Sequence, residues 1–557
     1  MPTLQFKGKS FVQNHHFGVK YHQLIPHQIK SYTEKVSLHD NLIVHGDNLK
    51  ALKALLPTYA GKVKCIYIDP PYNTGNEKWA YNDNVNSPMM KDWLGEVVDK
   101  DDLSRHDKWL CMMMPRLKLL RELLREDGAI FVSIDDNEQS NLKLLMDEVF
   151  GERNFIACVA NVNNPKGRSD DKFIATAHEY LLIYKKDKDP IFHGWEPGEN
   201  VLRRYRKEDE QGLYREIDLR KTGDEDRREN RPDMFYYFYF NEETEDFYVS
   251  KEQEEKEGYI EIVPIRADGS EGRWRWGFET AKVKLDTLIP KFMPNRKIWG
   301  IFEKDYLTDD ERIRPTSAWT KKDFNSERGT EQFVGLGFEK EGFFKPKPVG
   351  LLKHIIDFAT REDDIILDSF AGSGTTAQAV LELNKEDGGN RQFILVELEN
   401  YADEVTAERV RRRIQGVKDS DIEDYQTGTG GTFSYFTLGE PIEMEAILHG
   451  ENLPLYEDLA RYVFFTSTGE EFDPGNIDQE RNFIGESSEY EVYLFYRPDI
   501  EYLKSTSLNL ETAKQLGDPN GKKRLVFAPM KYLDQEYLHA YQIEFSQLPF
   551  EIYRMKD

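Results

Sequence analysis

Cysteine is scarce in this chain: three residues in 557, Cys65, Cys111 and Cys158. They lie far apart, their number is odd, and no Cys-x-x-Cys occurs. Neither a disulfide framework nor a zinc knuckle is expected. Positive charge is also in deficit, with 75 Lys and Arg against 101 Asp and Glu and a formal charge of −26. Proteins that coat nucleic acid without sequence preference are basic overall. Such a role is excluded, whereas a local basic cleft is not. No apolar run reaches the roughly 20 residues of a membrane span. The start, Met1-Pro2-Thr3-Leu4-Gln5-Phe6-Lys7, has no apolar segment of the secretory kind. These absences predict a reduced, cytoplasmic protein with no membrane partner. Aromatics are plentiful at 13%, which excludes a mainly disordered chain. The length suits three or four domains of roughly 100–200 residues each.

Texture along the chain predicts five segments. Residues 1–40 read as a polar arm. From 41 to 190, apolar runs such as Leu42-Ile43-Val44, Val63-Lys64-Cys65-Ile66-Tyr67-Ile68 and Ala129-Ile130-Phe131-Val132-Ser133-Ile134 alternate with helical spacing at Leu49, Leu52, Leu55 and Leu56, and again at Leu110, Met113, Leu117, Leu120 and Leu124. Pro115 should kink the second helix or mark its start. Strands alternating with helices predict βαβ units and a mainly parallel sheet. The alternation stops over 191–340, which reads as an inserted module of hairpins rich in Arg, Trp, Tyr and Phe. It returns over 341–428. A last segment, 429–557, is acidic: 431–557 holds 11 basic and 23 acidic residues, a charge of −12. It reads as an α+β domain with a dimer or partner surface.

Two constellations carry chemistry. Asp368-Ser369-Phe370-Ala371-Gly372-Ser373-Gly374-Thr375-Thr376 follows a strand and opens a helix. Glycines there let a ligand approach the backbone, and the helix start offers free N–H groups. Glu397 closes the next strand, where nucleoside-binding βαβ units place an acid for the ribose about 20 residues on. The full dinucleotide fingerprint and the phosphate-loop lysine are both missing, so neither NAD nor ATP is favoured. The second constellation, Asp69-Pro70-Pro71-Tyr72, ends a buried strand, at the edge where open α/β sheets bind ligands. The prolines fix two φ angles. They hold the Asp69 carboxylate and the Pro70 carbonyl as paired acceptors, suited to an exocyclic amino group. Tyr72 offers a face on which a base can stack, worth about 1–3 kcal/mol.

Together the two motifs resemble the amino-methyltransferases that use S-adenosylmethionine, and Asp-Pro-Pro-Tyr resembles the DNA N6-adenine enzymes. The catalytic motif precedes the glycine motif, an order that resembles their circularly permuted β class. Gly46-Asp47-Asn48-Leu49, the stretch Tyr67 to Gly75, Phe131 to Glu138 and His178-Glu179-Tyr180 resemble modification subunits of type III restriction–modification systems. The resemblance implies a Rossmann-like α/β fold with a mixed, mainly parallel sheet, an inserted target-recognition domain and a C-terminal domain. It implies that Asp69 and the Pro70 carbonyl accept hydrogen bonds from adenine N6, with Pro71 holding the turn and Tyr72 stacking on the extruded base. It implies a cofactor site built from Asp47, Lys345, Asp368, Phe370, Gly372, Gly374, Thr375 and Glu397. Lys345-Pro346-Lys347-Pro348, with Leu351 and Leu352, would close over the methionine end. The implied partners are double-stranded DNA, a separate ATPase–nuclease subunit and a second copy of the chain.

Weaker features point the same way. Over 191–330 the charge is −6, from 26 basic and 32 acidic residues. The basic ones cluster at Arg203-Arg204-Tyr205-Arg206-Lys207 and Arg273-Trp274-Arg275, which suits DNA contact by the module. Asn73, Lys166 and Arg168 are candidate DNA contacts. Met112-Met113-Met114 reads as core packing, and Arg411-Arg412-Arg413 as a solvated helix end. Two other readings stay open. One is an N4-cytosine methyltransferase; those enzymes resemble Ser-Pro-Pro-Tyr at this position, so Asp69 counts against it. The other is a DNA-recognition scaffold for a nuclease.

Overall fold

The computed structural model describes residues 4–74, 105–169, 171–307, 312–343, 345–442, 453–470, 472–517 and 521–548. The Gly75 end of the motif stretch lies outside the described residues. The chain divides into two compact units, Met1–His193 with Pro315–Asp557, and Gly194–Arg314.

The first unit is built on a ten-stranded sheet. Its strands in chain order are β1 (His22–Pro26), β2 (Leu42–His45), β3 (Val63–Ile68), β4 (Leu124–Ile134), β5 (Phe155–Asn161), β6 (Glu179–Lys185), β7 (Ala318–Trp319), β8 (Ile365–Asp368), β9 (Gln392–Glu397) and β10 (Ser434–Pro441). Their order across the sheet is β1-β10-β2-β9-β8-β3-β4-β6-β5-β7. From β10 to β4 every neighbour is parallel. β6 is antiparallel to both β4 and β5, β1 is antiparallel to β10, and β7 is parallel to β5. Strands covered on both faces must be apolar throughout, and all six residues of β3 are buried. Around the sheet lie helices α1 (Asn48–Tyr59), α2 (Arg105–Leu123), α3 (Ser326–Gly335), α4 (Val349–Ala359), α5 (Thr375–Asp387) and α6 (Glu408–Gln415). Helix α2 continues past Pro115 as one element, so the proline does not mark its start. Its face of Trp109, Met113, Met114, Leu117 and Leu120 is wholly buried. Tertiary packing of that kind outweighs the local cost of a proline within a helix.

The sheet topology gathers the motifs at one edge. Because β2, β9, β8 and β3 are parallel, their C-terminal ends deliver Asp47, Glu397, the glycine loop and Asp69 to the same side. The antiparallel hairpin of β5 and β6 brings Asn161 opposite Glu179 at that side too.

Three segment boundaries differ from those expected. The strand β1 places part of the 1–40 arm in the sheet, paired with β10. β10 itself lies between β1 and β2, so residues 434–441 belong to the large sheet and not to a separate 429–557 domain. Beyond it, strands Phe483–Glu486, Tyr490–Leu494, Lys523–Ala528 and Ile543–Gln547 form a four-stranded sheet, packed with Leu459, Val463 and Phe464 of the helix Tyr456–Thr468. Finally, residues 315–340 stand with the first unit. β7 extends its sheet, Phe324 and Phe333 are fully buried, and α3 meets the segment before α4 at Gly329. A Cβ on Gly329 would lie 1.9 Å from the Pro346 carbonyl oxygen.

The second unit has two antiparallel sheets. One holds four strands, Leu288–Met293, Ile298–Tyr306, Gly212–Asp218 and Lys207–Asp209, and the other three, Phe247–Ser250, Tyr237–Phe240 and Ile260–Ile262. Its core is Leu219, Tyr236, Phe238, Ile262, Trp274 and Ile301, and the Trp274 indole donates to the Tyr236 carbonyl at 2.9 Å. The two ends of the unit are tied together. Trp195 and Ile313 exchange backbone hydrogen bonds of 2.8 and 2.7 Å. A unit with its own core and adjacent ends should fold alone. The excised segment 194–314 is expected to unfold cooperatively on heating, followed by tryptophan fluorescence. A gradual, structureless transition would show that it depends on the rest of the chain.

Candidate active site

The loop after β3 carries the densest cluster of charge among the described residues of the sheet edge. The Tyr72 hydroxyl donates to Asp69 Oδ1 at 2.8 Å and lies 3.0 Å from Glu179 Oε2. The Lys347 ammonium donates to the Tyr72 hydroxyl at 2.7 Å and to both Glu179 oxygens, at 2.9 and 2.8 Å. It also lies 3.2 Å from Asp69 Oδ1. Asn161 Nδ2 donates to Glu179 Oε1 at 3.1 Å. Behind the loop, the Trp109 indole donates to the Pro71 carbonyl at 2.7 Å, so the proline turn is pinned to α2. Withdrawal from water pushes the Asp69 carboxyl up from its ordinary range, and the Glu179 carboxylate adds to this. The Lys347 ammonium pulls the other way. Burial also raises the Tyr72 phenol well above its usual value, so it stays a donor.

The glycine loop stands beside this cluster. Gly372 and Gly374 have φ of +53° and +82°, a region open to glycine at little cost. A Cβ on Gly374 would also lie 3.0 Å from the Thr406 carbonyl oxygen. The Gly372 N–H donates to Glu397 Oε2 at 2.7 Å, and the Glu399 N–H to Glu397 Oε1 at 3.0 Å. A carboxylate oxygen can accept more than one donor. The Ser369 hydroxyl oxygen, in the same loop, is buried with no hydrogen-bond partner among the described residues. An orphaned hydroxyl, a glycine cradle and a buried acid at the next strand end fit a nucleoside-bearing cofactor. Asp47 caps α1, its Oδ1 accepting from the Leu49 and Lys50 N–H groups at 3.0 and 3.2 Å, while Arg116 stands 3.5 Å from its Oδ2. Asn48 ties this corner to the loop by donating to the Ser369 carbonyl at 3.0 Å.

The expected residues do not all face the same space. Asp69, Tyr72, Phe370, Gly372, Gly374, Glu397 and Asp47 gather at the sheet edge. Asp368 and Thr375 shape the loop from within. Asp368 Oδ1 accepts from the Phe370 N–H at 3.0 Å and its Oδ2 from the Thr376 hydroxyl at 2.5 Å. The Thr375 hydroxyl donates to the Lys347 carbonyl at 3.2 Å and accepts from Arg409 at 2.8 Å. Lys345 is exposed, and the lysine that enters the site is Lys347. Asn73 is corrected as a DNA contact: it is only 4% exposed, and its amide is spent on Glu138 and on the Arg105 carbonyl. Lys166 and Arg168 are exposed on the loop between β5 and β6, with Lys166 3.6 Å from Glu327. Arg413 is buried against Glu382 at 2.8 Å, not solvated.

The residues that sequence reasoning did not single out act as supports. Glu179 stood in a recognised stretch without a role. Arg409 is fully buried and donates to the Ser373 and Thr375 hydroxyls at 2.6 and 2.8 Å. Its position within an Arg-rich helix concealed it.

Burial lifts the Asp368 carboxyl to about 7. The folded state therefore binds this proton more tightly than the unfolded state. Its contribution to stability is full below the unfolded value of 3.8 and is lost as pH rises through about 7. Asp368→Asn should flatten the fall of melting temperature across that window, measured by thermal unfolding at a series of pH values. An unchanged slope would exclude Asp368 as its source.

Comparison with known proteins agrees with this geometry. The DNA methylase family (N6_N4_Mtase) matches residues 63–408. The chain is 36% identical over 372 residues to the type III restriction-modification enzyme EcoPI Mod subunit of Escherichia phage P1, covering 64% of this chain and 57% of that protein. It is 39% identical over 354 residues to the type II methyltransferase M.KpnI of Klebsiella pneumoniae, covering 63% and 79%. The match thus spans little more than half of the EcoPI Mod subunit. The crystal structure of an M1.HpyAVI–SAM complex aligns at 15% identity and a TM-score of 0.29, over 66% of this chain and 98% of that one. With both the Asp69–Tyr72 turn and the Gly372–Gly374 loop inside a match that covers more than half of its residues, the chain belongs to the DNA methylase family.

Proposed function

We propose that this chain transfers a methyl group from S-adenosylmethionine to adenine N6 in double-stranded DNA, at a specific site, as the modification subunit of a type III-like restriction–modification system. The observation that supports it most is the pairing of the Asp69-Pro70-Pro71-Tyr72 turn with the glycine loop on one sheet edge. Its partner in cleavage would be a separate ATPase–nuclease chain, and its own state a homodimer. Copurification and light scattering test these two points.

The target atom lies inside the base stack, so the nucleotide must first be extruded. Adenine N6 is a weak nucleophile because its lone pair is delocalised into the ring. Asp69 and the Pro70 carbonyl would accept its two N–H bonds and favour a tetrahedral nitrogen. Asp69 Oδ1 is engaged by Tyr72 and Lys347, so Oδ2 would be the oxygen that accepts from the amino group. When bound, the cofactor supplies an electrophilic sulfonium methyl. Gly372, Gly374, Phe370 and Glu397 would hold it, with Asp47 at the neighbouring strand end. After attack, the nitrogen carries a surplus proton. Asp69, with its raised pKa, is the adjacent group suited to receive it. Positioning and fixed charges supply the acceleration.

Asp69→Ala is expected to abolish methylation while leaving cofactor and DNA binding within a few-fold of wild type. Digesting the DNA to nucleosides and weighing them measures this, and also separates N6-methyladenine from N4-methylcytosine. Turnover retained near the wild-type level would defeat the assignment. Lys347→Met removes the cation that lowers the Asp69 pKa. It should lower the maximal rate and move the acidic limb of the pH–rate profile upward. A lower rate with an unmoved limb would give Lys347 a purely structural role.

A further inference from the structure

The loop joining β5 to β6 rises from the catalytic edge and ends in two bare apolar side chains. Phe173 is 88% exposed and Ile174 85%. They are the two most exposed large hydrophobic residues of the described part of this hairpin, and no described residue covers them. The stalk beneath them is ordered by backbone hydrogen bonds: Asn164 N–H to the Ala177 carbonyl at 3.1 Å, Arg168 N–H to the Thr176 carbonyl at 3.1 Å, and Gly167 N–H to the Asn164 carbonyl at 2.8 Å. Gly167 has φ +74°, and a Cβ there would lie 2.4 Å from that of Ala175. The two arms of the stalk are therefore pressed together. The base of the stalk is Asn161 and Glu179, the pair joined to Tyr72 and Lys347. Lys166, Arg168 and Lys172 line the rise, with the Lys172 ammonium 5.1 Å from the Phe173 ring centre. Among the acids nearby, the Asp171 carboxylate is turned back onto the Thr176 N–H at 2.6 Å, and Glu327 lies 3.6 Å from Lys166.

Resting on the methyltransferase reading above, we propose that Phe173 and Ile174 form a wedge that enters the DNA stack beside the target adenine. Lys166, Arg168 and Lys172 would meet the flanking phosphates. Extruding a base leaves a gap in the duplex and costs a few kcal/mol of unstacking and unpairing. Apolar side chains inserted between base steps offset part of that cost. The occupant is duplex DNA and not a protein because the apolar pair follows Lys166, Arg168 and Lys172, three cations against Asp170 and Asp171 in the same loop, within a chain whose overall charge is −26. The stalk is also continuous with the residues that would receive the flipped base. Glu179 lies six positions after Phe173, which at no more than about 3.6 Å per residue keeps the Phe173 backbone within about 22 Å of that of Glu179.

The test is methylation by the full chain carrying Phe173→Ala and Ile174→Ala. It is run on a matched duplex and on one with an abasic site opposite the target adenine. Wild-type activity on the matched duplex first establishes the underlying reading independently. The double variant is expected to lose about tenfold or more in kcat/KM on the matched duplex, in keeping with an unpairing cost of a few kcal/mol. The abasic duplex should restore it, because there the base is already unpaired. The 2-aminopurine fluorescence of a target-substituted matched duplex should rise with wild type and not with the variant. Phe173→Trp should keep activity. Equal losses on both duplexes, or no loss on either, would overturn the wedge. Normal methylation with failure to copurify a nuclease chain would overturn it too, by making the tip a protein contact.

Discussion

One lysine joins the two halves of the site. The Lys347 ammonium lies within hydrogen-bonding reach of Tyr72 and Glu179 and 3.2 Å from Asp69, while its carbonyl accepts from Thr375 at the head of α5. The side chain belongs to the catalytic turn and the main chain to the glycine loop. Two half-buried or buried carboxylates share one cation, an arrangement that costs several kcal/mol of desolvation and is stable only when its hydrogen bonds are complete. Asn161 and Tyr72 supply further ones. The segment bearing Lys347 is in turn clamped from behind. Gly329 of α3 lies against the Pro346 carbonyl, and the Val349 N–H donates to Gln332 at 2.9 Å. The residues just after the second unit therefore serve the reacting centre, although they look in sequence like a continuation of the insert.

The fold class was legible because the sheet is parallel. Strands buried on both faces are continuous apolar runs, and Val63–Ile68 or Phe393–Val396 could hardly be anything else. Their C-terminal ends could be named from sequence, and with them Asp69 and the glycine loop. Boundaries were less visible. β10 follows Gly430 and Gly431, and that pair reads as the end of a domain. The turn they make instead returns the chain to the sheet beside β2. What decides this is the burial of Tyr435 and Phe436 against the sheet, a long-range fact with no local mark.

Side chains recruited from outside the motifs were the least legible part of the site. Glu179 is one acid among 101 Asp and Glu residues, and only the register of β6 against β5 and β4 sets it at the catalytic edge. Lys345 and Lys347 flank one proline and are indistinguishable by composition. Lys345 takes a positive φ of +48° and its side chain is exposed. Two residues on, the ammonium of the next lysine, Lys347, stands 3.2 Å from Asp69. Arg409 is the extreme case. An arginine amid Arg411, Arg412 and Arg413 reads as surface charge, yet it is fully buried and ties the hydroxyls of Ser373 and Thr375. Burial lowers its pKa only to about 10, so it remains a cation at neutral pH.

The placement of these charges suits the proposed chemistry better than it suits stability. A site designed only to be stable would not set Asp69 beside Glu179 and then draw both from water. Here burial and the neighbouring carboxylate raise the Asp69 carboxyl, and Lys347 opposes that rise. The result is a carboxylate that can accept from an amino group before transfer and retain a proton after it. The fold supplies both carboxylates and the ammonium from three separate stretches of chain: the end of β3, the start of β6 and the approach to α4.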